Sequence, residues 1–243
     1  VVHEVTHGYT SLVAYQKMKE KGVSLSEQNY ELFYIGQGKN LLVPTTKVFS
    51  TSEIDPMIPD KLHTTRYRYV YPSSGLKSHV NGIYGLVDEW HAYYHGTKTA
   101  VQLYPYFKQK DEFPRQFLNY IKTINNQYTA YMEFKYFILN YLLYAKEHHP
   151  STYTSLINNE KLMTAIISID KKYKKQVKLY FDRLDTIFHI LQSKGIHGAK
   201  TKNGIEIGGT SFNIYMNEYT LLSKELKKAK YQAQWKKIKE KAF

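Results

Sequence analysis

The sequence predicts an α+β fold that is predominantly α-helical, and three observations carry that prediction. From about Glu160 to Ser193 apolar residues recur in alternating three- and four-residue steps over many turns, the period of a long amphipathic helix. Between residues 30 and 71, short runs rich in aromatic and β-branched residues are punctuated by Pro44, Pro56 and Pro59, which reads as short strands and loops. At the start, His3-Glu4-Val5-Thr6-His7 sets two histidines four residues apart, one turn along one helix face. With 243 residues, 42% of them apolar, the chain can bury a substantial core as one large domain or two small ones.

The elements follow in order. The first helix runs from before His3 to about Lys21, with apolar or small residues at Leu12, Val13 and Ala14 and a stop at Gly22. Tyr30 to Tyr34, Leu41 to Val43 and Thr64 to Tyr71 read as strands; in the last, Arg66, Arg68 and Val70 alternate with Tyr67, Tyr69 and Tyr71, and a loop follows over Pro72, Ser73, Ser74 and Gly75. Gly82 to about Lys108 forms a second helix, and Asn126 to Lys146, crowded with Tyr, Phe and Leu on more than one side, a third and buried one. In the long helix Leu162, Ile166, Ile169, Tyr173, Val177, Tyr180, Leu184, Ile187 and Leu191 form the inward face. A Gly-rich turn with a strand follows over 203 to 209, then a basic terminal helix from about Asn217. No internal repeat or low-complexity linker marks a sharp domain boundary, and no run of about 18 apolar residues reads as a membrane span.

The chemistry is carried by the first helix and the second. Both imidazoles of His3 and His7 can reach one tetrahedral metal, and Glu4 projects beside them, where a general base takes a proton from a metal-bound water. The chain has no cysteine, so a zinc site must use His and carboxylate ligands. A third ligand is supplied by the run from Asn81 to Gly96: Glu89 begins an E-x-x-A pattern with Ala92, on a face that also holds Gly82, Gly85, Tyr93 and Gly96. Small residues beside a carboxylate let this helix pack closely on another backbone. Asp88 is the alternative ligand, about a third of a turn away and outside the Gly/Ala face. Tyr93, one turn after Glu89, is a candidate hydroxyl donor to a developing oxyanion, and also reads as a packed aromatic. His91 and His95 lie off the Glu89 face and read as surface or core histidines. Arg66 and Arg68, on one strand face, could bind a substrate carboxylate or be solvated, while His189, His197 and Tyr215 are later candidate electrophiles that spacing does not separate.

These residues resemble the gluzincin metallopeptidases, the zincin branch with H-E-x-x-H and a distal Glu. The E-x-x-A element is also similar to that of several integral-membrane zinc peptidases. The resemblance covers two short helical segments. It implies a zincin-like fold, Zn²⁺ at His3, His7 and Glu89, and Glu4 as general base on a zinc-bound water that attacks the carbonyl of a peptide or protein substrate. Two features differ. The gap from His7 to Glu89 is far longer than in thermolysin-like enzymes, and Tyr93 stands where those enzymes place an Asp, so the carboxylate that would orient one histidine is unassigned. Zincins normally place a sheet before the active helix, so the resemblance also implies a longer natural chain. On this reading residues 1–110 form the zinc-site portion of the catalytic domain and residues 111–243 a helical portion, basic at its end.

Charge is concentrated at that end. Residues 161–243 hold 18 Lys plus Arg against 7 Asp plus Glu, so +11 of the formal +13 lies there. Such runs are solvated helix faces or contacts to an anionic cell surface; nucleic acid is the weaker partner because no recognised binding motif accompanies the charge. The absence of cysteine fits a bacterial exported or envelope-associated protein. Two functions follow: a secreted or envelope zinc metallopeptidase, or a non-catalytic envelope-associated binding protein that keeps a zincin scaffold and uses its basic helices as the contact surface.

Overall fold

Short side chains begin the fold. In α1 (Val2–Glu20) the buried residues are Thr6, Thr10, Ala14 and Met18, a narrow stripe at four-residue spacing that lets the helix lie close to its neighbours. Leu12 stays exposed on the outer side, and of the Leu12 to Ala14 run only Ala14 joins the buried stripe. The computed structural model describes residues 1–20, 22, 30–36, 38–71 and 77–242. The loop expected over 72–75 lies outside the described residues.

After α1 come β1 (Tyr30–Gly36) and β2 (Lys39–Pro44), an antiparallel hairpin in which Tyr30 faces Pro44 and Phe33 faces Leu41. The chain then runs through 3₁₀ turns at Thr51–Met57, Asp60–Leu62 and Tyr67–Tyr69. The strand expected over Thr64 to Tyr71 is therefore not formed. Arg66 turns inward instead, because the buried carboxylate of Glu133 accepts from both its backbone N–H and its guanidinium, each at 2.7 Å. Strand alternation cannot anticipate a buried ion pair.

Next are α2 (Lys77–Val80), α3 (Gly82–Gln102), α4 (Tyr104–Lys108) and α5 (Arg115–Ile124). The single helix expected from Gly82 to Lys108 breaks at Leu103, because Pro105 has no backbone N–H to continue the α3 ladder and instead starts α4. The expectation also passed over α5, although Phe117, Tyr120, Ile121 and Ile124 follow helical spacing and are buried. The fold continues with α6 (Ala130–His148), α7 (Pro150–Ile157) and the 34-residue α8 (Glu160–Ser193), whose nine inward residues named from the sequence are all buried. Asn159 caps α8 by accepting from the Leu162 N–H at 3.1 Å.

A three-stranded antiparallel sheet, β3 (Gly198–Lys200), β4 (Gly204–Ile207) and β5 (Thr210–Asn213), follows α8. The terminal helix is two helices, α9 (Met216–Glu225) and α10 (Ala229–Lys241). Mostly helical with a few short antiparallel strands, the chain is α+β.

The core centres on α3, which packs against α1, α6 and α8 and is buried on nearly every side. Its first residue, Gly82, has φ +52°, and a Cβ there would come within 2.6 Å of the Phe49 carbonyl and 2.5 Å of the Tyr141 hydroxyl, so only glycine fits. Among the described residues no helix is long and apolar enough to cross a membrane.

Candidate metal centre

The close crossing of α1 over α3 brings His3, His7 and Glu89 together. On α1 the two imidazoles meet edge to face, with their Nε2 atoms 3.1 Å apart. From α3, Glu89 Oε2 lies 3.3 Å from His3 Nε2 and Oε1 lies 3.7 Å from His7 Nε2. Donors bound to zinc at about 2.1 Å in a tetrahedron lie roughly 3.4 Å from one another, within a few tenths of an ångström of these separations. Among the described residues, this is the one group of three His or acidic side chains whose donor atoms converge within 4.8 Å.

The polar accounting points the same way. Glu89 Oε2, one of the converging atoms, is buried and makes no hydrogen bond. Two Nε2 atoms facing each other at 3.1 Å satisfy each other only if one carries a proton, whereas a cation between them satisfies both. Two imidazoles and one carboxylate suit a zinc-type ion and leave a fourth position for water or substrate.

Asp88 is placed by the structure behind the histidines. Its Oδ2 accepts from His7 Nδ1 at 3.0 Å, and its side chain is 5% exposed. Burial alone would lower the His7 pKa, but the hydrogen bond to Asp88 and the charges of Asp88, Glu89 and Glu4 outweigh it and raise the pKa above the usual value. Asp88 thus supplies the orienting carboxylate that the sequence left unassigned. Adjacent acids on one helix diverge enough for one to face the donors and the other to hold a donor from behind.

Glu4 stands at the mouth, with Oε1 3.9 Å from His3 Nε2 and a side chain 80% exposed. It borders a cavity of ≈ 660 Å³ whose walls include His3, Arg68, Tyr69, Tyr93, Asn126 and Gln127. The Tyr93 ring packs on His3 with centroids 4.3 Å apart, and the Arg66 guanidinium lies 4.2 Å over the same ring. The Tyr93 hydroxyl is 3.3 Å from that of Tyr69. Burial pushes the Tyr69 hydroxyl well above its usual pKa, which keeps it a protonated donor. The sequence reading missed Tyr69, since its place in the Tyr67, Tyr69, Tyr71 alternation resembled packing.

The other candidates separate. Arg66 and Arg68 do not share a strand face, yet both border the cavity: Arg66 is buried and paired with Glu133, and Arg68 is exposed. His189, His197 and Tyr215 do not line that cavity. His91 and His95 form an inward pair with Nε2 atoms 3.1 Å apart, and His91 Nε2 donates to the Tyr34 carbonyl at 2.9 Å. Burial lowers their pKa values to about 4 and about 3, so both are neutral. No acid among the described residues completes this second pair. Compared with models of known protein families, with curated proteins and with solved structures, the chain matches none.

Proposed function

We propose that the chain is a zinc-dependent peptidase of gluzincin type, with His3, His7 and Glu89 as ligands. The observation that carries this reading is the triangle of donor nitrogens and carboxylate oxygens at 3.1, 3.3 and 3.7 Å, with His3 and the neighbouring Glu4 on the cavity wall.

Bound zinc supplies Lewis acidity, which acidifies water and polarises a carbonyl. Glu4, exposed and next to His3, accepts the proton of the attacking water and passes it to the leaving amine. Asp88 keeps His7 in the Nδ1–H tautomer, so that Nε2 offers a lone pair toward His3 and Glu89. Tyr69 and Tyr93 are the hydroxyl donors on the cavity wall for charge developing on the carbonyl oxygen. The cavity takes the peptide.

Metal analysis of the purified protein, joined to a cleavage assay on a diverse peptide library, tests this reading. One zinc per chain and cleavage are expected; Glu4→Gln keeps the zinc and lowers kcat by about 10²-fold or more, and Glu89→Ala loses the zinc. Stoichiometric zinc without cleavage by the wild-type protein selects the non-catalytic reading, and a protein that takes up no zinc overturns both.

A further inference from the structure

The lysines of α8 lie over a concave surface. Lys171, Lys174, Lys175 and Lys178 occupy neighbouring i, i+3 and i, i+4 positions, where like charges repel, and among the described residues only Lys178 has a carboxylate, Asp182 at 2.7 Å. Together with Phe181 and Tyr219 they border a groove of ≈ 500 Å³. Lys174 and Tyr219 also border a second groove of ≈ 520 Å³, which carries Lys135, Lys227 and Lys239 from α6, α9's end and α10. The two grooves adjoin, with Lys174 and Tyr219 as their shared wall. Lys135 Nζ is paired with Asp170 at 2.7 Å, so the unpaired positive charge of the two grooves comes from Lys171, Lys174 and Lys175 on α8 and from Lys227 and Lys239. Among the described residues Lys171, Lys174, Lys175, Lys227 and Lys239 form no ion pair with a carboxylate.

A concave surface lined by one sign of charge focuses potential and gathers counterions of opposite sign. Its aromatic residues are already engaged. Lys135 Nζ sits 3.7 Å over the Trp235 ring, and Phe181 packs on Tyr128 and Tyr219 with Lys200 nearby, so these rings do not form a bare platform for stacking bases. Leu221 is the one large apolar residue of α8, α9 and α10 that is exposed, too little apolar surface for insertion into a bilayer.

We propose that these two adjoining grooves bind a linear polyanion, a chain of linked phosphates without bases. The site is independent of the metal centre. Labelled inorganic polyphosphate is titrated by fluorescence anisotropy against the full chain, in parallel with single-stranded oligothymidylate of matched charge and with phosphatidylglycerol vesicles. Polyphosphate binds tightest, and its affinity falls by roughly tenfold or more between ~50 and ~200 mM salt. The triple variant Lys171→Gln/Lys174→Gln/Lys175→Gln weakens binding by about tenfold or more, while the matched variant Lys61→Gln/Lys110→Gln/Lys146→Gln, far from the groove in sequence, changes it by less than about threefold. Circular dichroism verifies that both variants are folded. Tighter binding of the oligonucleotide or the vesicles overturns the proposal, as does equal loss in the two triple variants, which would make net charge the cause.

Discussion

His7 donates from Nδ1 to Asp88 Oδ2 across 3.0 Å, while Glu89, the next residue along α3, approaches Nε2 of the same ring to 3.7 Å. Two consecutive acids thus act on opposite nitrogens of one imidazole. Replacing Asp88 with Ala removes the group that holds the tautomer and leaves the three donors in place. Zinc affinity is expected to fall by about 10- to 100-fold, read by competition with a chromophoric chelator. An unchanged affinity would show that Asp88 does not tune the site.

Tyr93 and Tyr69 differ in what their rings do, and Phe substitutions isolate the hydroxyls. Tyr93→Phe keeps the ring against His3, so zinc content is expected to hold. With a hydroxyl acting on the developing oxyanion, kcat falls by about 10²-fold while KM changes little. Comparing Tyr93→Phe with Tyr69→Phe in one steady-state assay identifies which hydroxyl acts; full kcat in both excludes the role.

Glu133 and Arg66 are both buried, and Thr129 donates to the same carboxylate at 2.9 Å. Removing one charge of such a pair strands the other. Glu133→Gln is expected to lower unfolding free energy by about 3 kcal/mol, measured by urea denaturation, because Arg66 keeps its charge without an anionic partner. A loss below about 1 kcal/mol would mean that water or a neighbour reaches the guanidinium.

The neutral pair His91 and His95 sets a pH dependence. Their folded pKa values, about 4 and about 3, lie below the 6.5 of an unperturbed imidazole. The unfolded chain therefore takes up protons first as pH falls, and stability drops from about pH 6.5 down toward pH 4. His7, with a raised folded pKa, acts in the opposite sense. Urea midpoints at about pH 7.5 and pH 5 are expected to differ less in His91→Gln than in the wild type. An identical difference would show that His91 does not carry the effect.

Gly82 opens α3 with positive φ against the Phe49 carbonyl. Gly82→Ala adds both backbone strain and a close contact, and is expected to cost about 1 to 3 kcal/mol. Thermal unfolding by circular dichroism reads the loss, and an unchanged midpoint would show that the turn relaxes freely.

Local sequence determined the repeating parts of this protein. The inward face of α8 was legible because one period persists over 34 residues, so each apolar residue repeats the same information. His3, Glu4 and His7 were legible for the same reason, since four-residue spacing on a helix is itself a statement about one face. Glu89 was legible only through the small residues around it. Tertiary structure alone decided what Asp88, Tyr69 and Arg66 do. Asp88 was an alternative ligand until the crossing of α1 over α3 placed its carboxylate behind His7, and Arg66 was a strand residue until Glu133, 67 positions away, drew it inward. Partners distant along the chain leave no periodic trace in either segment. Hydrogen bonds and buried charge pairs depend on distances of about 3 Å, which only the packed fold sets.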